Sequence, residues 1–430
     1  MRTFFIIWLG QFISSMGSSM TSFAIELWAW ELTNQVTTLA IISLLTQIPS
    51  ILITLVSGIF IDRINRKILM IIGDSVAAIS TVFICYLYFN NQLETWHLYV
   101  TGAVNGAFSE IQLLAYSASI SMLVPKQHYT RATSMNSAIH YGSIIIAPAL
   151  AGVLYYIIGF GGILFIDLIT FIIAITTIFT LKIPQRKITN QFQHQVIFLQ
   201  EIFFGFRYLV ERPSLLAIIK TQALFTFIHD IGGTFSSAMI LARTNNNATV
   251  LGSISSAAGL GGVTGAILLS ICGGHKRRIN GFLLGMIGAG ISKTVFGFGQ
   301  GLMIWLPAQF CSSLNFPMLT SSRTAILLSK VRPDVQGRVF AVESSIQQIV
   351  SVIAVLISAL LADHVFEPAM MPGGSLTSLF SGLFGTGKGA GMALLYVISS
   401  LGLLLVGLGG YAYPKLKNVE YIVPDHDVEK

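Results

Sequence analysis

Gly58-Ile59-Phe60-Ile61-Asp62-Arg63-Ile64-Asn65-Arg66-Lys67 is where an apolar run gives way to charge and then resumes. Upstream, residues 38–60 hold no Asp, Glu, Lys or Arg; downstream, residues 68–89 hold one, Asp74. A helix needs about 20 apolar residues to cross the hydrocarbon of a bilayer. Each flank is long enough to span, and the stretch between them is a short basic turn on one face of the membrane.

The whole chain has the same character. Of 430 residues, 53% are hydrophobic and only 10% are charged, and the mean hydropathy is +0.75. A water-soluble globule carries about a quarter of its residues as charges, so soluble multidomain enzymes are excluded. The excess of 25 Lys and Arg over 18 Asp and Glu is too scattered among apolar runs to make a nucleic-acid surface, and no nucleic-acid partner is expected. Cys85, Cys272 and Cys311 are widely spaced within apolar segments, which fits neither a disulfide framework nor a metal site.

Twelve segments are read as spans: about 4–29, 38–60, 68–89, 96–121, 133–158, 161–181, 214–242, 249–272, 280–300, 302–328, 339–363 and 389–412. The first is too long for a cleaved signal peptide, carries Glu26 and leads directly into further spans. With the N-terminus inside, 20 of the Lys and Arg residues fall on the cytoplasmic side and two, Arg243 and Lys388, outside. That asymmetry predicts cytoplasmic N- and C-termini. The expected organisation is an all-α membrane protein with a six-helix bundle at 1–181, a cytoplasmic linker with an amphipathic surface helix at 182–213, a second six-helix bundle at 214–413 and a tail at 414–430. A Gly- and Pro-rich outer loop is expected at about 364–388. The cell (inner) membrane is the expected location, and a monomer the expected working unit.

The two bundles are related by a repeat. Val56-Ser57-Gly58 aligns with Val263-Thr264-Gly265 at an offset of 207, and the same offset aligns Val124 with Val331, Arg131 with Arg338, Ser137 with Ser344 and Ile139 with Ile346. One constant offset over distant regions indicates a 6+6 duplication, a frequent device in transporters.

The opening stretch resembles the G-x-x-x-D-R-x-G-R-K signature of the major facilitator superfamily, with Asn65 in place of the second glycine. The resemblance implies an inner gate built on Gly58, Asp62, Arg63, Arg66 and Lys67, joined by Asp74, Arg131 and Arg338. Gly58 permits close helix approach, Asp62 can pair with basic groups, and Asn65 is read as tolerating a left-handed turn. Further segments are similar to the drug-exporter branch that holds macrolide efflux proteins and the enterobactin exporter. They are Leu123-Val124-Pro125, Val331-Arg332-Pro333 through Phe340, Ala362-Asp363 through Pro368, and Gly385 through Gly389. Gly142, Pro148 and Gly152 resemble a degraded form of those exporters' helix-kink motif. Val104-Asn105-Gly106 stands where many proton-linked exporters carry an arginine.

Ionisable groups within spans are costly and mark pathways or partners. Glu110 lies near the middle of span four, Asp230 with His229 near the middle of span seven, Glu26 in the outer part of span one and Arg323 in the inner part of span ten. In the resembled fold those four spans line the central path. Glu110 is the leading candidate for a group that loads and releases a proton; Asp230 is next. Arg323 is read as an anion contact, gate residue or anchor, and His140 and Glu343 as lining or abutting the path. Asp167 and Lys293 are read as structural. Gly382 through Gly389 approaches a phosphate-binding loop, but Gly389 replaces the Ser or Thr that would hold magnesium and no strand precedes it.

With no nucleotide, metal or nucleophile constellation, no cofactor is expected and the energy source is a proton gradient. The sequence therefore predicts a non-enzymatic exporter of a small amphipathic compound (a drug, macrolide-like natural product or siderophore) by alternating access and proton antiport. An importer or lipid flippase of the same superfamily is the alternative, and a membrane sensor on a transporter scaffold a remote one.

Overall fold

The computed structural model describes residues 2–63, 65–124, 129–181, 205–272 and 274–424, and every regular element among them is helical. The long helices are α1 (Arg2–Thr33), α2 (Val36–Arg63), α3 (Arg66–Phe89), α4 (Thr95–Leu123), α5 (Tyr129–Thr180), α6 (Pro213–Thr234), α7 (Ala248–Cys272), α8 (Arg278–Phe298), α9 (Leu302–Lys330), α10 (Pro333–Leu361) and α11 (Ala390–Ala412). Among the described residues, eight helical segments are long and apolar enough to cross a membrane. This is a multi-pass membrane protein.

Helix α5 is two arms joined at Gly159, whose φ of 70° and ψ of −176° break the helical path. A side chain there would be strained, so glycine sets the turn between the segments expected at 133–158 and 161–181. Helix α6 stops at Phe235 and resumes as Ser236–Arg243. The turn that follows places Asn245 and Asn246 at φ of 50° and 61°, a conformation Asn tolerates well.

The stretch expected as an outer loop at about 364–388 is largely folded. A π-helical turn, Ala362–Phe366, leads into short helices Glu367–Met370 and Thr377–Phe384. The Glu367 carboxylate accepts the backbone N–H groups of Gly389 and Met392 at the start of α11. Arg243 donates to the carbonyls of Gly299 and Phe384, at 3.0 and 2.7 Å. Glycine and proline here shape tight turns between helical pieces, while Glu367 caps the start of α11 and Arg243, from outside the segment, caps the end of Thr377–Phe384.

The chain divides into two compact units. One comprises Met1–Thr189 with Thr244–Ser256, the other Asn190–Arg243 with Ala257–Lys430. In the first, α1 packs on α5, α2 on α4, and α3 on α4 and α5. In the second, α6 packs on α10 and α11, and α8 on α9 and α11. Small residues set the closest approaches: Gly106 of α4 against Thr46 of α2, and Gly265 of α7 against Leu314 of α9. Where the surroundings are lipid, such backbone proximity supplies much of the attraction between helices.

Each unit has an apolar centre, around Phe4, Met70, Ala115 and Ile178 in the first and around Leu209, Phe282, Leu327 and Val339 in the second. Of the linker expected at 182–213, residues 182–204 lie outside the described part. Residues 205–210 are helical, with Leu209 buried and Phe206, Arg207 and Val210 exposed, the pattern of an amphipathic surface turn. The segment after α11 is docked as well. Glu420 accepts the N–H groups of Arg278 and Ile279, at 3.2 and 3.1 Å, capping α8. Its carbonyl accepts from Lys330 Nζ at 2.7 Å, and Leu416 and Val419 are fully buried.

Candidate functional site

In the first unit, Glu110 sits at mid-length of α4 and faces α2. Ser50 donates to its Oε2 at 3.2 Å and Thr54 to its Oε1 at 3.0 Å. Pro49, just before Ser50, removes a backbone donor inside α2 and loosens the helix there. Both partners are hydroxyls, which hydrogen-bond to a carboxylate or to a carboxylic acid. The arrangement holds the side chain in place in either protonation state.

One face of α1 carries three further contacts. Gln11 Nε2 donates to Asp74 Oδ2 on α3 at 3.0 Å, and Gln112 of α4 donates to Gln11 Oε1. Ser15 and Ser143 share a hydrogen bond of 2.8 Å. Ser18 donates to Asp167 Oδ1 at 3.4 Å, while Thr81 donates to its Oδ2 at 3.1 Å. Asp74 and Asp167 are 5% and 1% exposed, so both carboxyls depend on these donors rather than on water. Glu26 lies on α1, half-buried, about two turns beyond Ser18.

The expected inner-gate residues are placed in part. The side chains of Gly58, Asp62 and Arg63 lie outside the described residues, as do those of Arg131, His140 and Gly142. Lys67 donates to the carbonyls of Phe179 and Leu181, both at 2.8 Å, tying the start of α3 to the end of α5. Arg66 and Arg338 are half-buried. The reading of Asn65 as a left-handed turn residue is corrected: its φ is −56° and ψ 115°. Its side-chain oxygen accepts the Lys67 N–H at 2.9 Å. Asn65 is the N-cap of α3, a position at which Asn is strongly favoured and glycine only moderately so.

Of the helix-kink set, Pro148 lies inside α5 and Gly152 lies against α7. A Cβ on Gly152 would stand 2.6 Å from the Ala248 carbonyl oxygen, and Gly252 is pressed equally against the backbone of Pro148. Thr249 donates to the Gly152 carbonyl at 3.3 Å and Ser256 to that of Ile145 at 2.6 Å.

In the second unit, Arg323 of α9 and Glu343 of α10 form an ion pair of 2.7 Å, with side chains 18% and 5% exposed. Asp230 Oδ1 lies 2.9 Å from His229 Nδ1, and the His229 ring meets Phe316 edge-on at 5.2 Å. Lys293 is 7% exposed. It donates to the Tyr396 hydroxyl at 3.3 Å and lies near that ring. Asp167 and Lys293 thus have hydroxyl and ring partners rather than opposite charges.

The sequence alone offered no signal for Gln11, Ser50, Thr54, Gln112 or Gln347, because uncharged polar residues in a span mark a site only once their neighbours are known. The expected residues nevertheless fall into clusters, Glu110 in one unit and Arg323 with Glu343 in the other.

These features belong to a known group of proteins. The sequence pattern of the Major Facilitator Superfamily matches residues 7–355. Macrolide efflux protein A of Streptococcus pyogenes is 27% identical over 369 residues, covering 84% of this chain and 90% of the relative. Macrolide efflux protein A of Enterococcus faecalis is 26% identical over 299 residues, covering 68% and 91%. Among solved structures, a bacterial homologue of the iron transporter ferroportin in an inward-facing state superimposes with a TM-score of 0.69 at 14% identity, covering 95% of this chain and 97% of that one. The nucleoside transporter NupG gives 0.64 at 13%, covering 96% and 100%. At such identity the likeness concerns the fold alone. A chain matched over most of its length by that pattern, built of apolar helices with buried polar clusters, belongs to the major facilitator superfamily and is a transporter rather than an enzyme.

Proposed function

We propose that the protein is a secondary exporter that moves a small amphipathic organic compound out of the cell by alternating access, driven by proton antiport. One observation carries the reading: a carboxyl at mid-length of α4, Glu110, held by the hydroxyls of Ser50 and Thr54 in a chain similar over most of its length to macrolide efflux proteins. Glu110 binds a proton on one side and a cationic group of the substrate on the other, so that the two exchange at one site. Asp230, with His229, is the second titrating position. Arg323 and Glu343 shape the path as a charge-cancelled pair.

The chain crosses the cell membrane twelve times in two related six-helix bundles, at 1–181 and 214–413, with both termini in the cytoplasm. The helix partnerships within each unit support this arrangement: α1 with α5, α2 with α4 and α3 with both α4 and α5 in the first, and α6 with α10 and α11 and α8 with α9 and α11 in the second. Asp62, Arg63, Arg131 and Arg338 form the inner gate, and one copy of the chain suffices for transport.

The test uses inside-out vesicles holding wild type or Asp62→Asn, supplied with a labelled macrolide, a cationic dye or a siderophore, with and without a protonophore. Uptake by wild type alone that the protonophore abolishes is the expected result. Folded protein that takes up none of the compounds would instead favour a narrow exporter of a compound outside this set, an importer or a lipid flippase.

A further inference from the structure

The second unit keeps hydrogen-bonding capacity that its own chain does not use. Gln222 of α6 is 7% exposed and donates its Nε2 to Thr226 at 3.2 Å. Its Oε1 is shut off from solvent and has no hydrogen-bond partner among the described residues. Arg323 Nε on α9 is in the same state, and so are both Nε2 and Oε1 of Gln347 on α10. Buried polar atoms in folded proteins are nearly always paired, and orphans call for an occupant.

The orphans are spread over about two helical turns of depth, with Gln347 the deepest. Helix α6 begins, α9 ends and α10 begins at a common end, where Leu215, Leu327, Val331 and Val335 share one apolar cluster. Counted from that end at about 1.5 Å of rise per residue, Arg323, Gln222 and Glu343 lie about 10–15 Å in. Phe225, Phe316 and Gln347 lie about 18–21 Å in. The Arg323–Glu343 pair joins α9 to α10. The rings of Phe225 and Phe316, with centroids 6.3 Å apart, join α6 to α9. Gln347 follows Glu343 by one helical turn on the same face.

The ion pair cancels the charge of this layer. What remains is a carboxamide donor and acceptor on Gln347, an acceptor on Gln222 and one guanidinium N–H, while α6 and α9 also bring the rings of Phe225 and Phe316 together. We infer that this layer is a recognition station for an uncharged, oxygen-rich group, a carbonyl with neighbouring hydroxyls on a bulky apolar skeleton, and that Gln347 sets the preference for it. The inference rests on the exporter reading and adds to it the uncharged, oxygen-rich part of the substrate.

Purified full-length protein in detergent, with no gradient, is titrated with three probes: erythronolide (a neutral macrolactone), erythromycin (the same kind of ring bearing an amino sugar) and tetraphenylphosphonium, a cation with no hydrogen-bonding group. Gln347→Met keeps the length of the side chain and removes both polar atoms. It should weaken erythronolide about tenfold, the loss of one or two buried hydrogen bonds, and erythromycin similarly. Tetraphenylphosphonium should stay within about twofold, and the melting temperature without ligand should not fall. Glu110→Gln should give the opposite pattern, with the cations weakened and erythronolide spared.

Equal weakening of all probes by Gln347→Met, unchanged erythronolide binding, or no erythronolide binding by wild type would overturn the station. A lowered melting temperature with unaltered affinities would also overturn it, and would assign the amide to structural water. Because binding is read without a gradient, loss of proton-driven uptake alongside intact Gln347 selectivity would refute the exporter reading alone.

Discussion

Gly152 of α5 lies so close to Ala248 of α7 that a Cβ there would stand 2.6 Å from the Ala248 carbonyl oxygen. The neighbour is backbone and has little room to give way. Gly152→Val is therefore expected to destabilise the protein by about 1–3 kcal/mol, the usual cost of overpacking. Thr249→Val, which removes only the 3.3 Å hydroxyl contact with the Gly152 carbonyl, should cost less than about 1 kcal/mol. Thermal unfolding in detergent distinguishes the two; equal effects would mean that the helices separate easily at this point.

Glu110→Gln preserves the size of the side chain and its contacts with Ser50 and Thr54, but cannot ionise. Binding of a cationic ligand to wild type should strengthen as the pH rises and the carboxyl loses its proton. In the variant it should be weak and flat across pH, and proton-driven uptake should fall by about an order of magnitude or more. If the pH dependence survives the substitution, the proton site lies elsewhere, and Asp230→Asn is the next variant to test.

The all-helical, multi-pass character was legible because a span needs only a long apolar run. That the runs expected at 133–158 and 161–181 are one helix broken at Gly159 is seen only in the backbone angles. Partnerships were not legible. Gln11, Asp74 and Gln112 are separated by 63 and 101 positions along the chain, and no local pattern records that they meet. Asn65 shows a subtler failure. Asn suits both a left-handed turn and a helix N-cap, and only the backbone angles decide between them. The stretch at about 364–388 was read as an outer loop from its Gly and Pro content, which describes its turns but not the helical pieces between them.

Asp167 and Lys293 should matter for folding more than for transport. Asp167→Asn leaves its two hydroxyl donors with one oxygen to share, and Lys293→Met removes the contact with Tyr396. Each is expected to cost about 1–3 kcal/mol, the range for disturbing a buried polar group. Yield of folded protein should drop while uptake per folded molecule stays near wild type. The reverse pattern would place either residue on the transport path.

Asp62→Asn should bring uptake below about a tenth of wild type while leaving equilibrium binding of the same compound within about twofold. That split is characteristic of a residue that biases one conformation of a gate without touching the ligand. Unchanged turnover would remove Asp62 from the gating role.

The capping of α8 by Glu420 has a consequence for biogenesis. The donors, Arg278 and Ile279, precede their acceptor by 142 and 141 residues. As the chain emerges from the ribosome, α8 can enter the membrane long before anything caps its first turn. The cap can form only when residue 420 arrives, so the order of synthesis makes this contact one of the last steps of assembly.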